Sequence, residues 1–169
     1  LAYLFNRLYR FGNAAEANLG QIRVAMKKRL DMIEQLLGAV RGYVRHEREV
    51  FESVASMRAK VFDAGTSGLG EIDKESRGIT GGILAVAEAY PELKANETVK
   101  KLMDAIVSVE DEIARHRYTY NNIVQTFNTM VDTIPSNFVA SSAGLRKLEY
   151  LQFEEGAEKR PEVTGISRN

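Results

Sequence analysis

The chain has no cysteine, no tryptophan and only three prolines among its 169 residues. Without cysteine there are no disulfides, thiolate metal sites or thiol nucleophiles, and the cellular compartment stays undetermined. So little proline leaves long stretches in which a helix meets no obligatory break. No run of about eighteen apolar residues occurs, so no segment reads as a bilayer-spanning helix. The chain begins at Leu1 rather than methionine, so a truncated or processed chain is expected, with any membrane anchor preceding residue 1. Net charge is missing too, because 23 basic side chains balance 23 acidic ones.

That balance hides an asymmetry. Residues 1–30 carry Arg7, Arg10, Arg23, Lys27, Lys28 and Arg29 against a single acid, Glu16. A basic leading segment suits an anionic membrane surface, nucleic acid or an ordinary solvated face. Lys27-Lys28-Arg29 has no interleaved aromatics and the whole chain is neutral, so nucleic-acid binding is not expected.

What the chain does have is helical periodicity. Apolar or small residues recur at 22, 26, 30, 33, 37, 40, 44, 51, 54 and 61, which predicts one helix from about Ala2 to Phe62. A bend near Gly12 or Gly20 is compatible with this pattern. The glycine-rich segment Ala64–Gly70 reads as a loop, since it matches neither a phosphate-binding nor a dinucleotide fingerprint. A second helix is predicted from about Glu71 to Ala89 and stops at Tyr90-Pro91. Within it, Gly78, Gly81 and Gly82 either admit a neighbouring helix closely or weaken this one. Asn96 reads as the N-cap of a third helix that carries Val99, Leu102, Ile106, Val109, Ile113, Tyr120, Phe127 and Val131 and ends before Pro135. A shorter fourth element spans about Ser136 to Tyr150.

The expected fold is therefore all-α, an antiparallel up-and-down bundle of three long helices plus a shorter fourth element. Residues 1–152 form the bundle domain and 153–169 an irregular charged tail. Residues 1–22 are expected to project toward an anchor preceding residue 1, or to pack on the fourth element around Phe138 and Leu145 or on a second chain, because the shorter helices cannot cover a first helix of about 60 residues, about 90 Å long. Ile33, Leu37, Val40, Val44, Ile106, Val109, Ile113 and Phe127 are expected to share one buried core.

Candidate chemistry is sparse. His116 lies on the third helix's seam with Glu112 four residues before it, but bundle di-iron sites use Glu-x-x-His from two helices. His46-Glu47 are sequence neighbours, which point about 100° apart on a helix and make no dyad. No metal, cofactor or small-molecule substrate is expected. A more unusual pattern is an aromatic followed by asparagine at Phe5-Asn6, Tyr120-Asn121 and Phe127-Asn128, the last two one heptad apart. The amides either bond neighbouring groups and solvent, or form a polar ladder that fixes register or binds a partner.

Phe5-Asn6, Lys28-Arg29-x-Asp31, Gly42-Tyr43, His46-Glu47, Glu88-Ala-Tyr-Pro91 through Asn96, Arg117, Tyr120-Asn121, Phe127-Asn128, Pro135-Ser-Asn137, Glu154-Glu-Gly-Ala157 and Pro161 occur in one order along the chain. In that order they resemble the LemA family of membrane-anchored helical proteins. The chain departs from the family at Glu34-Gln35, where proline and asparagine are usual, and at Phe5 and Phe127, where tyrosine is usual. Glu34 should make the first helix straighter here. The resemblance implies one N-terminal transmembrane helix, a helical bundle and no established enzymatic activity. Basic residues just after such a helix favour the cytoplasmic side.

The function expected is a non-enzymatic, membrane-tethered interaction or scaffold module, binding a protein partner or a second copy. Two alternatives are a soluble oligomeric coiled-coil adaptor and a metal-dependent enzyme within the bundle. The candidate interaction surface combines Leu4, Leu8 and Phe11 on the leading apolar stripe with Lys27, Lys28, Arg29, Arg117, Asn121 and Asn128.

Overall fold

A computed structural model describes residues 1–153, and all of its regular elements are helices. Helix α1 (Ala2–Ala39) turns Leu8, Ala15, Leu19, Ile22, Met26, Leu30, Ile33 and Leu37 inward at steps of three, four or seven. It continues through Gly12, Gly20 and Glu34.

The predicted single helix to Phe62 is not observed. The chain reverses over residues 40–46, where Gly42 has φ +90° and His46 φ +58°. Gly42 reaches its conformation because it lacks a Cβ. Helix α2 (Glu47–Lys60) then returns along α1, with Arg58 ion-paired to Asp31 at 2.7 Å and also to Glu34. The Arg58–Asp31 contact is close, but its N–H is not aimed at the oxygen, so it is an ion pair without a hydrogen bond. Folding back buries Val54, Met57 and Val61 against the same core as Val40, which a straight helix would leave uncovered. The projected length mismatch disappears with it.

A short 3₁₀ turn (Val61–Asp63) leads to helix α3 (Thr66–Ala89), which starts five residues before the expected Glu71. Gly68 and Gly70 are thus helical, and Gly70 has a packing reason. A Cβ there would sit 3.2 Å from the Gln152 carbonyl oxygen. After the single turn α4 (Pro91–Lys94), helix α5 (Glu97–Asp132) begins at Asn96, whose side chain accepts from the backbone N–H groups of Thr98 and Val99. Helix α6 (Ser136–Ser142) is shorter than the expected fourth element. Gly144, at φ +69°, ends it, and residues 145–153 continue as an irregular strap.

Helices α1, α2, α3 and α5 alternate in direction. Arg58 meets Asp31 and Glu34, Arg29 meets Asp73, and Gly12 lies against Phe127. Helix α1 packs chiefly on α5. At 38 and 36 residues these two are each about 55 Å long, and α2 and α3 join them over one half only. That half is a four-helix head around the larger core. The other half is a stalk made of the start of α1, the end of α5 and α6, with a second cluster of Leu8, Phe127, Met130, Val139 and Ala140. Phe127 therefore leaves the single core expected for it, and Val44 is only partly buried. Phe153, placed in the tail by its sequence context, is buried with Leu151 in the main core. Residues 154–169 of that tail, with Glu154-Glu-Gly-Ala157 and Pro161, lie outside the described residues.

Candidate interaction surface

Three of the nine candidate surface residues are taken up by the chain itself. Leu8 is wholly buried in the stalk cluster, flanked by half-buried Leu4 and Phe11. Arg7 lies over the Phe11 ring at 5.8 Å. Arg29 is 1% exposed because its heptad position faces α3 rather than solvent. Asn128 is buried against residue 148. These three present no surface to a partner, whereas Lys28 is exposed and Lys27 is half-exposed, paired with Asp31 at 2.9 Å.

Arg29 organises the head. Its Nη1 pairs with Asp73 Oδ1 at 2.9 Å, and its Nη2 donates to Ser76 Oγ at 2.5 Å. Asp73, fully buried, also accepts from Arg77 Nε at Oδ1, at 3.3 Å. Arg29 Nε has no hydrogen-bond partner. One carboxylate between two guanidiniums compensates the buried charge, a condition that buried ions require. The role of Arg29 is internal. Its neighbours' charges gave no signal of this; only the apolar residues at 22, 26, 30 and 33 mark its helix as buried.

The asparagine repeat forms a ladder whose partner is the chain's own strap. Asn128 Nδ2 donates to Leu148 O at 2.9 Å, and Leu148 N–H donates to Asn128 Oδ1 at 2.8 Å. Asn121 repeats the pattern with Leu151, at 3.0 and 2.8 Å. Seven helical residues rise about 10.5 Å, and three extended residues cover about 9–10 Å, so the two spacings match. Tyr120 Oη donates to Glu149 O at 2.9 Å between the two rungs. Burial holds this phenol's pKa above its ordinary 10.0, helped by the negative charges of Glu16 and Glu149 and opposed by Arg23. Arg117 closes the series, 5.3 Å over the Phe153 ring. The strap is read through its backbone.

The histidines stand apart from both centres. His46 Nδ1 is 3.8 Å from Glu49 at the exposed start of α2, and His116 Nε2 is 3.7 Å from Glu112 on α5. Among the described residues no three His, Asp or Glu side chains converge on a common point, and no helix is long and apolar enough to cross a membrane.

The head nevertheless carries an open groove of about 700 Å³ between the 43–45 turn, α2 and α3. Tyr43, Val44, Val50, Ile79, Val86 and Tyr90 make it predominantly apolar. Gly78 and Gly82 form part of its wall, and a Cβ at Gly78, Gly81 or Gly82 would meet nothing within 4 Å. Among the described residues no helix approaches them, so there the glycines leave α3's backbone open on the groove side. The glycines are visible in the sequence, but the groove is not, because it needs the reversal at Gly42 to exist.

The pattern describing the LemA family matches residues 18–164. Magnetosome protein MamQ 2 of Paramagnetospirillum magneticum is 25% identical, over 95% of this chain and 68% of its own length. Magnetosome protein MamQ of Magnetospirillum gryphiswaldense is 23% identical, over 89% and 65%. Protein LemA of Metamycoplasma hominis is 27% identical, over 89% and 69%.

Proposed function

The chain belongs to the LemA family, and on that premise we propose that it is a non-enzymatic interaction module held at a membrane. The observation that carries the reading is the apolar groove of the head, with a glycine wall that no element among the described residues covers. Concave apolar surface of this kind serves to take up a ligand segment. The groove, with Leu37 in its wall, lies near the opposite end of α1 from the stalk tip, about 50 Å away, a length that suits a head displayed away from a surface. Membrane association, on the cytoplasmic side, is supported by the family's expected transmembrane helix and the basic start of α1.

The test is made on the native protein in cells. A photo-crosslinking side chain at Gly82 should yield a discrete protein adduct, and one at exposed Lys101 on α5 should not. Adducts at both positions, or at neither, overturn the groove's role. The native protein should also sediment with membranes and stay there through a salt wash; recovery in the soluble fraction removes the tether.

A further inference from the structure

We propose that the stalk tip is itself a lipid-contact surface, which seats the bundle against an anionic phospholipid bilayer. The inference rests on the membrane part of the reading above and adds a partner to a surface that reading left unused. The tip brings together the start of α1 and the α5–α6 turn: Leu4 shares a hollow with Met130 and Ser136, and Leu1 and Phe5 share another, of about 400 Å³, with Val139 and Ala143. Around these hollows Ile134 is 78% exposed, Tyr3 70% and Phe138 65%. Tyr9, its ring tilted against Phe5 at 4.8 Å, extends the apolar surface along α1.

Charge selects the occupant. Residues 133–145 contain no charged side chain, in a chain that is 27% charged. Residues 1–15 contain Arg7 and Arg10 and no acid. The acid bordering the turn, Asp132, is paired with Lys147 at 2.6 Å. Apolar side chains at a charge-free tip, tyrosines with a polar end and a collar of arginine match the three layers of a bilayer surface: acyl boundary, interface and anionic headgroups. A protein partner is the other class of occupant, and it would not require the tip to be free of acid.

The absence of tryptophan provides a clean reporter. In the whole chain, Phe138→Trp should show a blue-shifted emission when mixed phosphatidylcholine–phosphatidylserine vesicles are added, and much less with phosphatidylcholine alone. Val107→Trp, on the outer face of α5 and likewise exposed, should not shift. Adding Ile134→Glu to Phe138→Trp should weaken vesicle affinity at least tenfold without altering helicity. No shift at 138, an equal shift at 107, or a shift that ignores lipid charge and Ile134→Glu overturns the proposal. Native protein that still sediments with membranes would then leave the tether standing. A soluble native protein whose tip does shift would instead retire the tether and keep the tip.

Discussion

The head and the stalk each bury polar groups, and they do so in opposite ways. In the head, Arg29 and Asp73 face each other as side chains, 1% and 0% exposed. Along the strap that runs from stalk to head, Asn128 and Asn121 each bond both polar groups of one backbone residue, Leu148 and Leu151. An ion pair puts two charges out of water and is secure only while both remain. A neutral amide against a peptide unit satisfies a donor and an acceptor on each side with no charge to desolvate. The pair can be exchanged as a unit for apolar residues. The ladder cannot, because its partner is main chain, whose carbonyls no side-chain exchange removes.

The largest effect should therefore come from breaking the head's pair on one side. Asp73→Ala should cost about 3–5 kcal/mol in urea unfolding, because it strands Arg29 in the core. Replacing Arg29 by Met and Asp73 by Leu together should recover most of that loss, and a double variant no better than the single would show that the pair is not separable from its surroundings. On the stalk, Asn128→Ala should cost about 1–3 kcal/mol by orphaning the Leu148 N–H and C=O. Its signature is local: hydrogen exchange should rise at Leu148 and Leu151 while the head amides stay protected. Uniform loss of protection would make the strap part of one cooperative unit with the head, and the contrast between the two regions would fail.

The smallest effect is one of pH, and it separates the regions without disturbing either. Tyr120 has a folded pKa above 10.0 because burial disfavours its phenolate, so its contribution is complete below pH 10. Above that, unfolded chains release the proton first and stability falls as pH climbs toward the folded value. Tyr120→Phe should flatten this alkaline decline. A decline that persists unchanged would assign it to other groups.

Much of the helical content was legible in the residues. The Asn96 cap, the Tyr90-Pro91 stop and the seam from Val99 to Val131 are local features, and the α5 helix follows from them. The asparagine repeat was legible as a pattern but not as a structure, since its partners lie 20 and 30 residues away in a stretch with no periodicity of its own. The reversal at residues 40–46 was missed because apolar spacing at 37, 40, 44, 51 and 54 is the same for one helix and for two that share a core. Gly70 likewise looked like loop punctuation until Gln152 was placed against it.

Local sequence by itself determined where backbone hydrogen bonds close into helices and which stripe of each helix is apolar, because both are settled within a few residues. Tertiary structure alone decided that Arg29 faces Asp73 rather than a partner, that Asn121 and Asn128 hold the strap, and that α3's glycines border an open groove. Those outcomes depend on which distant segments are brought within hydrogen-bond reach, about 3 Å, and no spacing along the chain encodes that distance.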